Sequence, residues 1–480
     1  MLDYDNLRRA LRDSPIASRL PALGLQGYIV GGFIRDALLG LQPGEVDIVL
    51  EGDYEAGLKA LAKAFHDEPF ALGGRFRTHR MVAAEGTLDI SPVMGASRKD
   101  DLLRRDFTID ALALPFGAYA NAQRGIIDAA GGLDDLEQGR IAAINENNLV
   151  DDPLRILRAY RLMAQLGFVI EPDTARLLEL HAGKIAEPAP ERVREELMLM
   201  LNRPDAHRGL EAMDEAKVLG ALFPELEELR NSMQNSYHHL PVLAHSMEAV
   251  RQLEHVLRTG EGLDAGVYSS LSAEMQEIVS PPATKAALTK LSLLFHDLGK
   301  PDTSAVQDNG KITFYGHQTA GAEKAAPVFS RLRMSNRECE MLHLLIEEHL
   351  RVGFYCNSHT PAPRLIYRFL RKLGDAAAMS CLHAVADARA VRGPDAPEDF
   401  VRVHEETIGL ILHQRYFARE LAEPTPLLTG EEIMAAAGMP AGPRIGELKE
   451  LLLEAQVEGA VNTRDEAVEF VRCNAGIPLV

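Results

Sequence analysis

The chain has 480 residues, of which 70 are acidic and 51 are lysine or arginine, so its formal net charge is −19. A hydrophobic fraction of 46% and a charged fraction of 25% are typical of a globular protein, and the length predicts about three or four domains. The acidic balance argues against indiscriminate nucleic-acid binding, so a nucleic-acid partner would need local basic patches. The chain also lacks a signal-peptide pattern, an apolar run of about 20 residues and a CxxC motif, which predicts a cytoplasmic protein without a membrane partner.

The first informative stretch reads GYIVGGFIRDALLGLQPGEVDIVL and predicts a strand, a glycine turn, a helix and a second strand. Gly31 and Gly32 let backbone N–H groups approach a phosphate at a helix N-terminus, and Arg35 can add a positive fork for the same anion. Glu45 and Asp47 alternate along the second strand, so their carboxylates share one face and form a candidate Mg²⁺ site for phosphoryl or nucleotidyl transfer. A plain glycine turn and a solvated acidic strand end are the alternative.

The elements that follow predict a compact α/β head. Residues 54–66 have the pattern of an amphipathic helix, and strand-like runs appear at Arg80–Ala84 and Thr87–Ser91. Asp89 in the second run is either a further carboxylate for the metal or a residue at the sheet edge.

An arginine-rich motif comes next. Arg104, Arg105 and Asp106 precede an apolar run that we predict to be helical. Arginine offers a bidentate fork for phosphate or a flat face for a base, and Asp106 can accept a ribose hydroxyl. The alternative is a helix start with aspartate in its first turn.

The stretch LVDDPLRILRAYRLMAQLGF predicts a helix with Pro153 in its first turn. Its arginines recur every third residue and form a stripe of one sign: Arg155, Arg158 and Arg161. Asp151 or Asp152, paired with Arg155, can present donors and acceptors to the edge of a base. A solvated charged face is the alternative.

Four motifs now stand in order: GGFIRD, GEVDIV, RRDFTIDALA and DDPLRILRAYR. Together they resemble the class II nucleotidyltransferases, which comprise CCA-adding tRNA nucleotidyltransferases and bacterial poly(A) polymerases with a DNA polymerase β-like head. The resemblance implies addition of C and/or A to tRNA 3′ ends from CTP and ATP with Mg²⁺. A poly(A) polymerase is the alternative activity.

The resemblance also implies residue roles. Glu45 and Asp47 would hold Mg²⁺, while Arg105 would contact the nucleotide and Asp106 the ribose. Triphosphate binding and base selection would fall to Gly32 and Arg35, and to Asp152, Arg155, Arg158 and Arg161, respectively.

The chain departs from the family pattern at Glu45, Asp110 and Asp151, where Asp, Asn and Glu are usual. Only PVMGASRKDDLL separates Ser91 from Arg104, whereas many members carry a longer flexible segment there. Because such a segment is thought to reshape the pocket from CTP to ATP, its shortness favours a CC-adding specialist; full CCA addition remains open and A addition ranks third.

A second ligand pattern lies downstream, at His245, His296, Asp297 and Asp387. A His-Asp pair after an apolar helix, with histidine upstream and aspartate downstream, is a metal-ligand set. This stretch resembles the HD phosphohydrolase domain, most specifically in HDLGK. The resemblance implies metal-dependent phosphoester hydrolysis with a transition metal or Mg²⁺, and places second-metal ligands at His317 and His349. A decayed domain kept as scaffold is one alternative; a hydrolase whose head only binds RNA is another.

The expected fold is an α/β head followed by all-α neck, HD and tail domains, at residues 1–140, 141–235, 236–400 and 401–480. Residues 260–283 have a loop-like composition. The basic helix PRLIYRFLRKLG and the helix start at Arg444 are candidate RNA contacts.

Overall fold

The computed structural model describes residues 2–72, 77–356 and 361–476. The chain forms two compact units, Met1–Arg192 with Ala212–Leu222, and Val193–Glu211 with Phe223–Val480. None of the helices in the described ranges is long and apolar enough to cross a membrane.

A mixed sheet of seven strands forms the core of the first unit, in the order β3-β4-β5-β2-β1-β6-β7. β2 and β5 run parallel, and the other neighbours are antiparallel. The strands are β1 (Gly27–Val30), β2 (Val46–Leu50), β3 (Phe70–Ala71), β4 (His79–Ala83), β5 (Gly86–Pro92), β6 (Leu112–Pro115) and β7 (Ile127–Asp128). All four residues of β1 are buried, as expected for a strand inside a covered sheet.

Short capped helices surround this sheet, and Asp53, for example, caps α3 by accepting from the backbone N–H of Ala56. A parallel pair, β8 (Arg140–Ile141) and β9 (Val169–Ile170), lies beyond it in the chain. The first twelve helices are α1 (Tyr4–Asp13), α2 (Gly32–Leu38), α3 (Tyr54–Phe65), α4 (Arg98–Leu102), α5 (Ala122–Gly125), α6 (Gly132–Gln138), α7 (Glu146–Asp151), α8 (Leu154–Leu166), α9 (Pro172–Leu180), α10 (Pro190–Leu201), α11 (Ala206–Glu215) and α12 (Val218–Leu222).

The rest of the chain is helical apart from two short strand pairs, β10 (Ile278–Ser280) with β11 (Ala283–Thr284), and β12 (Ala305–Val306) with β13 (Ile312–Thr313). Its helices are α13 (Glu227–Arg230), α14 (Val242–Thr259), α15 (Ala265–Met275), α16 (Lys285–Phe295), α17 (Lys300–Thr303), α18 (His317–Arg331), α19 (Asn336–Glu347), α20 (Arg351–Cys356), α21 (Pro363–Leu373), α22 (Ala377–Ala390), α23 (Phe400–Phe417), α24 (Arg419–Ala422), α25 (Gly430–Ala437), α26 (Pro443–Val457) and α27 (Arg464–Asn474). Every residue of α16 is buried, so this helix forms the centre of the second unit. The predicted α/β head followed by helical domains is confirmed.

Three local predictions are wrong. The apolar run after Asp106 forms a 3₁₀ turn and then β6, because a run this short gains more from pairing with β1 than from an isolated helical turn. Residues 265–275 form α15 rather than a loop, with Asp264 as the N-cap and an apolar stripe at Val267 and Leu271. Pro153 is the N-cap of α8 rather than part of its first turn.

Candidate nucleotide and metal sites

The glycine turn between β1 and α2 lies beside two predicted site residues. Gly31 has φ +77°, a left-handed conformation in which a side chain is strained. A Cβ at Gly31 would lie 3.6 Å from both Arg105 Nη1 and Asp47 Oδ2. A Cβ at Gly32 would lie 3.3 Å from Arg35 Nη2. The turn therefore brings a backbone without side chains next to a carboxylate and a guanidinium, as close approach to a phosphate requires.

Three carboxylates gather along β2 and β5. Asp47 and Asp89 are paired neighbours in the parallel register, and Glu45 directly precedes β2. Arg80 links Glu45 at 3.1 Å and Asp89 at 2.8 Å, so these two lie on one side of the sheet. Because β5 is an interior strand, the edge interpretation of Asp89 is wrong.

The charge of Asp47 is only partly balanced. Burial raises the pKa of Asp47 to about 7 although Arg105 lies near, and the carboxylate of Asp89 adds to the rise. A buried carboxylate with neighbouring oxygen donors is the environment that a hard divalent cation stabilises. The residues present therefore fit a divalent metal ion.

Arg35 lies beside the glycine turn and is already paired within the protein. Its side chain is 5% exposed and lies behind the glycine turn, where Nε donates to Asp36 Oδ1 at 2.8 Å and Nη1 to Asp110 Oδ1 at 2.5 Å. The last six residues of α2 are all buried, so the helix face that carries Arg35 turns inward. Asp110, where the family usually has asparagine, supplies a full negative charge to this buried cation.

Arg105 and Asp106 belong to the same candidate site as the glycine turn. Asp106 Oδ2 forms an ion pair with Arg158, 2.8 Å from Nε, and the N–H of Phe107 donates to Asp106 Oδ1 at 2.9 Å. Although burial opposes it, Arg158 and Arg155 hold the pKa of Asp106 below its usual value. Asp106 is therefore an ionised acceptor held in a fixed orientation.

A cavity of about 320 Å³ joins this motif to α7 and α8. Asp151, Asp152, Arg155 and Arg158 line it together with Arg105 and Asp106. Arg161 is not among the lining residues and donates to Gln165 at 3.3 Å.

The partner of Asp152 is not the one predicted. Arg192 at the start of α10 donates to Asp152 Oδ2 at 2.9 Å, whereas Arg155 donates to the carbonyl of Asn148 at 2.9 Å. No spacing rule connects Asp152 with a residue three helices later, so the sequence carries no signal for Arg192.

Side-chain hydrogen bonds hold the short segment between β5 and Arg104 against the sheet. Asp101 in α4 accepts from the hydroxyl of Tyr28 at 3.0 Å and from the N–H of Met94 at 2.9 Å. Arg98 makes two hydrogen bonds of 2.6 Å to Glu51. Helix α4 is thus tied to β1 and to the residue that follows β2.

In the second unit, the predicted metal ligands form two groups: His245, His296 and Asp387, and Asp297, His317 and His349. Within each group the candidate ligand atoms lie within 4.8 Å of one another. Asp297 bridges the groups, since Oδ2 is 3.2 Å from His296 Nε2 and Oδ1 is 3.4 Å from His317 Nε2. We call these six residues the HD centre.

Backbone carbonyls orient three of its imidazoles. Nδ1 of His296, His317 and His349 each lies 2.7 Å from the carbonyl oxygen three residues earlier. A carbonyl only accepts, so Nδ1 carries a proton in all three rings. Nε2 of His317 and His349 then presents a lone pair to the centre, whereas the carboxylates beside His296 favour a second proton on its Nε2.

The lone pairs face each other in the second group. His317 Nε2 and His349 Nε2 are 3.1 Å apart, and they repel each other unless a cation lies between them. Burial lowers the pKa of His349 to about 3, which disfavours a proton in that position. In the first group, burial would lower the pKa of His296, but Asp297 and Asp387 raise it to about 10. The donor set therefore fits divalent metal ions.

Family models cover most of the described elements. The "Poly A polymerase head domain" matches residues 27–96 and 91–142, the "Probable RNA and SrmB- binding site of polymerase A" matches 167–229, and the HD domain matches 241–368. An A-adding tRNA nucleotidyltransferase of Deinococcus radiodurans is 32% identical, with 94% of this chain and 96% of that protein covered. The chain belongs to the tRNA nucleotidyltransferase family.

One further relative supports this membership, and a solved structure shares the fold. A CC-adding tRNA nucleotidyltransferase of Thermus thermophilus is 33% identical, with 92% of each chain covered. The fold of this tRNA nucleotidyltransferase also matches a solved Thermotoga maritima CCA-adding enzyme complexed with tRNA, with a TM-score of 0.65 over 98% of each chain at 21% identity.

Two segments of this tRNA nucleotidyltransferase that were predicted to contact RNA form ion pairs and hydrogen bonds within the second unit. On α21, Arg368 bonds Glu454 at 2.6 Å, Arg364 lies 3.4 Å from Glu458, and Arg371 pairs with Glu450. Arg444 donates to Glu447 at 2.7 Å and to the carbonyl of Asn474 at 2.6 Å. The basic faces predicted for RNA are thus occupied by acidic side chains and carbonyls.

Sequence reasoning missed several residues around the HD centre. Lys300, the last residue of the HDLGK motif, donates to Asp297 at 2.6 Å and to Gln234 at 2.5 Å. The ring of His383 packs 5.2 Å from that of His296. His404 lines a cavity of about 350 Å³ that reaches His349 and Asp387. Only Lys300 had a signal, its position in a motif.

Proposed function

We propose that this chain adds nucleotides to tRNA 3′ ends without a nucleic-acid template, using CTP, and that it stops after C-C. The head carries the reaction. Glu45, Asp47 and Asp89 would hold Mg²⁺, which when bound polarises the phosphate and the attacking 3′ hydroxyl. The four-part division into head, neck, HD and tail domains belongs to the same proposal.

The surrounding residues bind and orient the nucleotide. The Gly31–Gly32 turn admits the triphosphate, and Arg105 neutralises its charge. Asp106, held ionised by Arg158, accepts a ribose hydroxyl. Asp151, Asp152 and Arg192 present hydrogen-bonding groups to the base from one wall of the cavity. Arg35 acts from behind the turn, by holding Asp110 and the start of α2 in place.

The segment between β5 and Arg104 supports the use of a single base, and its shortness is the reason for choosing C. A pocket that serves two bases in turn needs an element that moves between them. Here Asp101 ties that element to Tyr28, and Arg98 ties it to Glu51. Relatives at nearly equal identity bear the names A-adding and CC-adding, so identity alone does not choose between the bases.

Product length tests this proposal. The purified protein is incubated with tRNA transcripts that end before CCA, after C or after C-C, with CTP, ATP or both. With CTP we expect the transcript that ends before CCA to gain two nucleotides, and adding ATP should not change this length. The transcript that ends in C-C should not be extended. The Asp47→Ala variant controls for host enzymes. Addition of A to any transcript would refute CC specificity, and no addition at all would refute the reaction.

A second activity follows from the HD centre. We propose that its six side chains hold one or two divalent ions, which when bound activate water for hydrolysis of phosphoesters. The facing Nε2 atoms of His317 and His349 are the observation that supports this function.

The HD activity is tested with phosphomonoesters and phosphodiesters in Mg²⁺, Mn²⁺, Co²⁺ or Ni²⁺. We expect hydrolysis that His296→Ala removes while nucleotide addition persists. If no ester is hydrolysed with any of the four ions, the domain is a scaffold.

A further inference from the structure

His383 lies beside the HD centre without belonging to either ligand group. It is on α22, one turn before Asp387, so both side chains share a helix face. The residue is 1% exposed. Neither ring nitrogen has a hydrogen-bond partner among the residues that the structure describes.

A buried imidazole in this state is unfavourable. A buried polar group without a hydrogen-bond partner lowers the stability of the fold. By contrast, His296, His317 and His349 each satisfy Nδ1 with a backbone carbonyl. An apolar residue of similar volume would pack in the place of His383 without that penalty, so the imidazole needs a different reason to be there.

The position of the ring supplies a reason. Its centroid is 5.2 Å from that of His296 in the first group and 5.9 Å from that of His349 in the second. With nitrogen about 2.1 Å from a metal ion, the centres of two imidazoles that share the ion lie roughly 5 Å apart. His383 therefore stands where an imidazole can reach an ion held by its neighbours.

We propose that His383 is a seventh ligand of the HD centre. The proposal rests on the metal centre of the proposed HD function. Its ring has to rotate to reach an ion, and no hydrogen bond opposes that rotation. With His383 the set contains five imidazoles and two carboxylates, and imidazole selects transition metals over Mg²⁺.

Metal binding to the stripped protein tests this without reference to hydrolysis. The full chain is freed of metal with a chelator and titrated with Co²⁺ or Mg²⁺, while melting temperature and the visible absorption of Co²⁺ are followed. The variants are His383→Leu, which removes the imidazole at similar volume, and His383→Asn. The control is His343→Leu, since the side chain of His343 is 47% exposed on α19.

For His383→Leu we expect a metal-free melting temperature at or above that of the wild type, because an unsatisfied polar group is gone. We also expect at least tenfold weaker Co²⁺ binding, a smaller Co²⁺-induced rise in melting temperature and an altered absorption band. His343→Leu should match the wild type. Mg²⁺ should raise the melting temperature less than Co²⁺.

The failures are distinguishable. If Co²⁺ shifts neither the melting temperature nor the spectrum of the wild type, the metal centre itself is refuted. If the wild type responds and His383→Leu binds Co²⁺ with the same affinity and spectrum, His383 is a core residue and the inference is overturned. Should His383→Leu fail to fold, unchanged Co²⁺ binding by His383→Asn overturns it equally.

Discussion

The two candidate metal sites hold their carboxylates in opposite settings. In the head, Glu45, Asp47 and Asp89 lie on or beside two strands, and Arg80 already contacts two of them. In the HD centre all six side chains come from helices or their ends, five of them are nine-tenths or more buried, and imidazoles outnumber carboxylates. The head offers an ion only part of its coordination sphere, whereas the HD centre offers most of it.

This difference indicates two modes of metal use. Mg²⁺ is commonly bound by one or two carboxylates together with substrate phosphates, so an ion in the head should arrive and leave with the nucleotide. A centre built from inward-turned imidazoles binds its ion before any substrate does.

The largest effect is expected for Asp47→Ala. Loss of one Mg²⁺ ligand removes several kcal/mol of transition-state stabilisation, so nucleotide addition should fall about a thousandfold or more. Phosphoester hydrolysis should not change, because its ligands lie in the other unit. Single-turnover addition assays and hydrolysis assays on one preparation measure both. The exposed Glu68→Ala serves as the control, and near-native addition by Asp47→Ala would contradict the assignment.

The same position also predicts a pH effect. An acid whose pKa is raised on folding, here to about 7 for Asp47, destabilises the metal-free fold at pH above its ordinary value. The penalty grows between pH 4 and pH 7, the interval between the two pKa values, and is constant above it. We therefore expect Asp47→Asn to be more stable than the wild type at pH 8 and equal to it near pH 4, by thermal melts in chelator.

The two sites should also differ in how firmly they retain a metal ion. Protein loaded with Mn²⁺ and passed through a desalting column should keep the ion of the HD centre and lose that of the head. Metal analysis should then show retained ion in the wild type and in Asp47→Ala but much less in His296→Ala. Equal loss from all three proteins would contradict a resident ion.

A smaller effect is expected for Asp110→Asn, which restores the residue usual in the family. The amide keeps one hydrogen bond to Arg35 but removes the charge that balances it, which should lower the free energy of unfolding by about 1–3 kcal/mol. Asp110→Ala leaves a buried cation short of a partner and should cost more. Urea unfolding followed by fluorescence or circular dichroism compares both with the wild type.

The sequence predicted what depends on neighbouring residues in the chain. The strand, the glycine turn and the Asp47 strand are local patterns, and the HDLGK motif predicts its metal ligands from five consecutive residues. Arg35 could not be placed, because its inward direction depends on which face of α2 the sheet covers. Likewise the Arg192–Asp152 pair joins residues forty positions apart. The lack of a hydrogen-bond partner for the ring nitrogens of His383 arises only once α22 is packed.

The basic helix α21 is a different case, because its charge pattern was recognised and its partner was not. Three arginines on α21 face two glutamates on α26 and a third, Glu458, at its C-cap. Arg368 makes two hydrogen bonds to Glu454. Tyr367, Leu453 and Val457 pack together beside them, so the contact is partly apolar. Helix α21, which its sequence alone predicts to be an RNA-binding surface, is therefore the docking face for the tail.

The smallest expected effect comes from this pair. Exposed ion pairs contribute about 0.2–1 kcal/mol, so Arg368→Glu should destabilise the chain slightly through repulsion with Glu454. The double variant Arg368→Glu with Glu454→Arg should recover most of that loss, since the apolar contact is unchanged and the charges are only exchanged. Raising the salt concentration should shrink both differences. If α21 instead contacts tRNA, the double variant will fold like the wild type yet bind tRNA more weakly, which melting curves and tRNA affinity measured together would reveal.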